Sequence, residues 1–301
     1  MNMELRFLAM GRRTYAGLNS VMTEHEHENT ALTLVLGGTG KTGGRVVERL
    51  TARHRPVRVG SRSGEPPFDW ADRRTWAPAL DGATSAYLSF YPDLAVPGAA
   101  DAIRAFTDLA ARQGVRRLVL LSGRGEEEAQ LSEEVVMKSG LEWTIVRASW
   151  FNQNFSEGHL LEPVRGGEVV VPVGNVGEPF VDTDDIADVA VAALTEDGHA
   201  GQLYEVTGPR LLTFAEAVGE IAVATGRDIR FRPVSIEEYA GMLAEYELPA
   251  DEVALLTYLF TEVLDGRNAH LTDGVERALG RPPRDFRDYA RTVASTGVWA
   301  G

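Results

Sequence analysis

Seven consecutive residues, Gly37-Gly38-Thr39-Gly40-Lys41-Thr42-Gly43, carry the clearest chemical signal in the chain. Gly37, Gly40 and Gly43 give the spacing G-x-x-G-x-x-G. In a strand-to-helix turn, the first glycine permits a tight reversal and the second lets bare backbone approach a pyrophosphate. The third allows the helix to pack closely on the strand, and the helix N-terminus adds N–H donors and a positive field. Thr39, Lys41 and Thr42 contribute side chains to the same seat. Gly40-Lys41-Thr42 also matches the end of a nucleotide-triphosphate P-loop, but that motif needs a glycine where Val35 stands. The spacing therefore reads as dinucleotide binding.

Which dinucleotide follows from the next strand end. An NAD-preferring site usually places a carboxylate there, for the ribose 2′-hydroxyl. Here the strand runs into Gly60-Ser61-Arg62-Ser63, without a carboxylate. Arg62 offers a charge-assisted fork to a 2′-phosphate, and Ser61 and Ser63 add hydroxyls, which favours NADPH.

These residues need elements to position them. Residues 32–36 are an apolar run of the kind buried in a parallel sheet. Residues 43–53 have helical spacing, with Val46, Val47 and Leu50 on one face. Strands are expected at 56–59, 85–90, 116–121 and 143–146, with helices at 99–113 and 131–139. Such alternation gives an α/β fold, a Rossmann doubly wound parallel sheet. Further on, helices are expected at 182–195, 213–225, 235–244 and 251–264, and strands at 202–206 and 229–233. The expected organisation is a flexible extension over 1–30, an NADP-binding core over 31–150, and a mixed region over 151–301. That last region completes the core and forms a smaller C-terminal substrate lobe. Met22 reads as the start of the functional chain, ahead of a polar lead containing His25-Glu26-His27, itself a solvated tail rather than a metal site.

Composition narrows the function. With 30 Lys and Arg against 44 Asp and Glu, the formal net charge is −14, which argues against a nucleic-acid partner. There is no cysteine, so thiolate catalysis and disulfides are excluded. No metal site is expected. No apolar run is long enough to span a bilayer, and a cytoplasmic protein is expected.

Several motifs, in order, resemble the NmrA-like branch of atypical short-chain dehydrogenases. They are the 37–43 loop, Phe68-Asp69-Trp70, Thr144-Ile145-Val146-Arg147, Phe151-Asn152-Gln153-Asn154-Phe155, Phe180-Val181-Asp182-Thr183-Asp184-Asp185-Ile186-Ala187 and Leu279-Gly280-Arg281-Pro282-Pro283. The resemblance implies NADP binding, with Asp69 and Trp70 near the adenine. More narrowly, the chain resembles ketoreductases that tailor aromatic polyketide antibiotics in actinobacteria.

The proton donor usual among short-chain dehydrogenases is missing. Their Y-x-x-x-K pair uses lysine to lower the tyrosine pKa, and tyrosine passes a proton to the carbonyl oxygen. Lys41 and Lys138 are the only lysines, and Gly37 and Glu134 stand four residues before them. Two functions remain open: NADPH-dependent ketone reduction with another proton source, and a non-catalytic, NADP-binding redox sensor. Ser122, at a strand end, resembles the family's catalytic serine. Arg124 follows it, and His159 is a proton donor if charged.

The substrate expected from the strand ends is a small-molecule aromatic ketone. Ligands bind beyond the carboxyl ends of such strands. Ser89 and Phe90 follow one strand and are assigned to the cofactor. Tyr91, Trp150, Phe151, Asn154, Phe155 and His159 are assigned to the substrate. Aromatics gathered there suit a flat, polycyclic molecule, with Met242, Tyr246 and Tyr258 as a lid.

Overall fold

The computed structural model describes residues 31–245 and 248–300. The expected extension over 1–30, Met22, the His25–His27 segment and Tyr246 lie outside them.

Twenty regular elements can be followed in chain order. They begin with β1 (Leu32–Leu36), α1 (Lys41–Ala52), β2 (Val57–Gly60), α2 (Trp76–Leu80) and β3 (Ala83–Leu88). Next come α3 (Ala99–Arg112), β4 (Arg117–Gly123), α4 (Glu127–Met137) and β5 (Glu142–Ala148). The second half has α5 (Asn154–Glu157), α6 (Leu161–Gly166), β6 (Glu168–Val171), α7 (Thr183–Thr195) and β7 (Gln202–Val206). It ends with α8 (Phe214–Thr225), β8 (Arg230–Pro233), α9 (Ile236–Glu245), α10 (Ala250–Tyr258), α11 (Gly274–Leu279) and α12 (Phe286–Ser295). One π-helical turn, Leu259–Val263, continues α10.

Six strands form one parallel sheet in the order β2-β1-β3-β4-β5-β7. This is the α/β Rossmann sheet, with a smaller lobe built from the C-terminal half. Strand alternation divides the side chains between two cores. Leu34, Leu36, Ala86, Leu88, Leu118 and Leu120 join one core, which α3 covers with Ile103 and Phe106. Val35, Tyr87 and Val119 point the other way, toward α1 and α7. A third core, around Phe155, Phe180, Phe214 and Phe286, belongs to the lobe.

Ten of thirteen residues in α7 are buried, because the sheet and α1 pack against it. Its Asp182 caps the helix by accepting from Asp184 N–H, so the sequence expectation that this acidic group starts a helix is met. Asp185 is fully buried, and Arg284 and Arg281 neutralise it. The short elements β6 and β8 pair in a separate two-stranded parallel sheet. Among the described residues no helix is long and apolar enough to cross a membrane.

Candidate active site

The β1–α1 turn has the geometry of a phosphate seat. Gly37 takes a left-handed backbone, φ +64°, and its carbonyl accepts from Gly40 N–H at 2.8 Å. Gly40 caps α1 without a side-chain hydrogen bond, and the first turn carries no acid. The helix N-terminal field is therefore left uncompensated, as an anion requires. A Cβ on Gly43 would stand 2.3 Å from the Gly37 carbonyl oxygen, and one on Gly37 would stand 3.1 Å from Ser89 Cβ. These contacts make Gly43 a packing glycine. Gly40 alone of the three has open space beside it.

From this turn a cavity of about 560 Å³ runs along the carboxyl ends of β1, β3, β4 and β5. Gly37, Gly40, Lys41 and Thr42 line its first end. Ser89, Phe90 and Tyr91 line it beyond β3, and Ser122 lines it from the carboxyl end of β4. Trp150, Phe151, Asn154 and His159 form the wall beyond β5, while Leu256, Leu259 and Val263 close it from α10 and the π turn.

Several residues singled out in the sequence lie off this cavity. Thr39 is exposed beside it, and Gly43 is buried in α1. Arg62, Ser61 and Ser63 occupy the exposed turn after β2, where the two serine hydroxyls are 3.5 Å apart. The Arg62 guanidinium lies 5.4 Å from the Tyr91 ring centre, which keeps it on the same sheet edge. Asp69 accepts from Ala71 N–H, and its backbone carbonyl accepts from the Trp76 indole. Trp70 donates to the Ser89 carbonyl and packs on Phe90 at 4.8 Å. Both residues thus brace the wall behind the β3 end.

Phe155 corrects a sequence expectation. It is fully buried in the lobe core against Phe180, Phe214 and Phe286, and its carbonyl accepts from the Trp299 indole at 2.7 Å. One residue along a helix is a 100° rotation. Asn154 faces the cavity from α5, so its neighbour Phe155 turns away. Trp150 does both jobs, lining the cavity while packing on Phe214 and Phe260. The expected lid also differs, since the helical residues over the cavity are Leu256, Leu259 and Val263 rather than Met242 or Tyr258.

The polar groups are largely committed. Lys41 donates to Asn154 Oδ1 at 3.1 Å, and burial lowers its pKa against the pull of Glu157. Ser122 donates to Glu133 Oε1 at 2.6 Å, so its hydroxyl presents lone pairs, not a proton, to the cavity. Arg124 is buried and bonded to Ser149 and His270. His159 lines the cavity as an exposed side chain, and desolvation, then the Lys41 ammonium, lower its pKa.

Four acids line the cavity without a signal in the sequence: Asp93, Glu126, Glu157 and Glu178. They come from distant stretches, and no local spacing links them. Glu178 accepts from Trp150 N–H at 3.1 Å, and burial raises its pKa to about 7. A carboxyl whose pKa rises on folding stabilises the protein below its unfolded value and loses that contribution as pH climbs through its folded value. For Glu178 the window is roughly pH 4.5 to 7, and the loss is on the order of 3 kcal/mol. Melting curves from pH 5 to 8 should therefore be flatter for Glu178→Gln than for the parent. Parallel curves would show that Glu178 titrates alike in both states.

Among the described residues no group of three or more His, Asp or Glu could hold a metal ion. The NAD(P)H-binding family pattern matches residues 37–197. Festuclavine synthase II of Penicillium roqueforti (strain FM164) is 32% identical over 291 residues, covering 89% of this chain and 99% of that protein. The fold is shared with triphenylmethane reductase of Citrobacter sp., solved with NADP(H): TM-score 0.71, 17% identity, 88% of this chain and 100% of that one. It is also shared with the NADPH-dependent quinone oxidoreductase QOR2 of Escherichia coli, solved with NADPH: TM-score 0.70, 19% identity, 87% and 99%. The transcriptional regulator NmrA, solved with NAD, has a TM-score of 0.66 at 16% identity, over 89% and 96%.

Proposed function

Since the chain belongs to the NAD(P)H-binding family and is an NAD(P)H-dependent oxidoreductase of Rossmann fold, we propose that it reduces a carbonyl of a flat aromatic or quinonoid substrate, with NADPH as reductant. The observation that carries this reading is the single cavity joining the Gly37–Gly40 turn to the aromatic wall of Phe90, Trp150 and Phe151. A dinucleotide seated on the turn would bring its reactive ring toward that wall, beyond β4. Bound NADPH supplies a hydride; the protein's task is to hold the acceptor carbon within reach and exclude water.

In this reading, Gly37, Gly40, Lys41 and Thr42 hold the pyrophosphate end. Arg62, with Ser61 and Ser63, meets the 2′-phosphate. Ser89 and Phe90 flank the cofactor, Tyr91, Trp150 and Phe151 sandwich the acceptor, and Asn154 positions Lys41. Residues 31–150 supply most of the cofactor site, and the later region supplies the lid and the far wall. The names of the triphenylmethane and quinone reductases support an aromatic acceptor. An aromatic polyketide ketone, as in antibiotic tailoring, is the substrate class we favour.

The test is NADPH oxidation by the purified protein with a panel of aromatic ketones and quinones. Turnover with some members is expected; tight NADPH binding without turnover on any would favour the sensor reading. Arg62→Ala should weaken NADPH by about tenfold or more, the loss of one charge-assisted contact, while barely touching NADH. Calorimetric titration with both coenzymes checks this, and equal losses would remove Arg62 from 2′-phosphate recognition.

A further inference from the structure

The reduction just proposed needs a proton at the acceptor oxygen, and the residues usually supplying it are missing. Most polar groups of the cavity wall are already committed. Ser122 has spent its hydrogen on Glu133, Lys41 is bonded to Asn154, and Arg124 is bonded to Ser149 and His270. Tyr91 stands at the rim, mostly in solvent, under Arg62.

Glu126 remains. It follows β4 by three residues, immediately before α4, and is buried with its carboxyl on the cavity wall. Its side chain folds back over the strand end: a Cβ added to Gly123 would meet Glu126 Oε1 at 2.1 Å. Gly123 is the residue after Ser122, so the carboxyl is held directly over the point where β4 opens into the cavity. Only glycine leaves room for it there. Asp93 lines the same wall beyond β3, where its charge acts on the Glu126 carboxyl.

Resting on the carbonyl-reductase reading of the cavity, we propose that Glu126, seated against Gly123 in the cavity wall, is the carboxylic acid that protonates the acceptor oxygen. Hydride uptake forms the C–H bond at the acceptor carbon as NADPH is oxidised to NADP⁺. The carbonyl π pair moves to oxygen and takes the Glu126 proton, so an O–H bond forms as the carboxyl O–H breaks. Glu126 is left as a carboxylate beside Asp93 and recovers one proton from water. The sum is NADPH, acceptor and one proton giving NADP⁺ and the alcohol.

The surroundings keep the acid protonated between turnovers. Burial, then the Asp93 charge, then Glu133, raise the Glu126 pKa well above the usual carboxylate range. The groups facing it are Asp93 beyond β3, Glu133 on α4 and Tyr258 on α10. Arg124 lines the same cavity, with its guanidinium bonded to Ser149 and His270.

The test compares two acceptors. Phenanthrenequinone needs a proton as it accepts hydride; N-methylacridinium, a cation, becomes neutral on hydride uptake and needs none. For Glu126→Gln, which keeps size and removes the acid, the ratio of quinone to acridinium turnover should fall by about 10²–10⁴-fold. An unchanged ratio, including an equal loss on both acceptors, would overturn the proposal, as would the same fall in Glu178→Gln instead. A parent enzyme active on the cation but on no carbonyl would instead overturn the carbonyl-reductase reading. Should Glu126→Gln misfold, Asp93→Asn provides a second readout. Removing the neighbouring charge lowers the Glu126 pKa, so the alkaline limb of kcat should move down by about one pH unit or more. A limb that stays put would also overturn the assignment.

Discussion

Gly40→Val is expected to give a folded protein that no longer binds NADPH measurably. Gly40 has an extended backbone, φ −87° and ψ −179°, which valine adopts without strain. Its added Cβ meets only the Gly37 carbonyl oxygen, at 3.2 Å, and otherwise points into open space. That space is where a pyrophosphate must touch the turn. Displacing it forfeits two or more charge-assisted hydrogen bonds, or roughly 3–5 kcal/mol, a loss of about 10²–10³ or more in affinity. Calorimetry should show no saturable heat, while the melting temperature stays near that of the parent. Gly43→Val provides the contrast. Its Cβ would sit 2.3 Å from backbone, which cannot swing aside, so that variant should lose stability first and binding only as a consequence. If Gly40→Val binds NADPH normally, the ligand does not sit on this turn.

A second large effect is expected one strand layer below the cavity. Arg147 on β5 grips Glu133 with two nitrogens, Nε at 2.8 Å and a second, shorter contact, and reaches Glu205 Oε1 at 2.8 Å. Glu133 is almost fully buried and also receives the Ser122 hydroxyl. Arg147→Met would leave that carboxylate buried without its cation, a change that costs about 3–5 kcal/mol. At this chain length the melting temperature should drop on the order of 10 °C. Adding Glu133→Gln removes the stranded charge and should recover much of the loss. A double-mutant cycle by thermal melting checks it. Purely additive losses would mean that the two residues act independently, against the geometry.

Sequence and structure agree where the signal is local. The strand, glycine turn and helix from Leu32 to Ala52 are contiguous, and each residue type answers a backbone need at its own position. The same holds for Asp182 and Thr213, which cap α7 and α8. Legibility fails where partners are distant in the chain. Asp93, Glu126 and Glu178 converge only after β3 and β4 have paired and a loop closes against Leu212. In sequence, Glu126 is merely the first of three glutamates opening a helix. Residues 168–171 were not read as a strand, because β6 is four residues long and its partner β8 lies some sixty positions later. Phe155 follows a strand end, where an aromatic side chain is expected to face the opening. A single turn of helix rotated it inward.

Trp150 ties ligand occupancy to the integrity of the C-terminal half. Its indole forms cavity wall on one side and touches Phe214, Phe260 and His159 on the other. Whatever presses on that ring from the opening is resisted by the phenylalanine cluster behind it. Filling the site should therefore slow amide hydrogen exchange in α8, an element that does not line the cavity. Loosening that cluster should, by the same linkage, make the ring a softer backstop and the grip on a bound acceptor weaker.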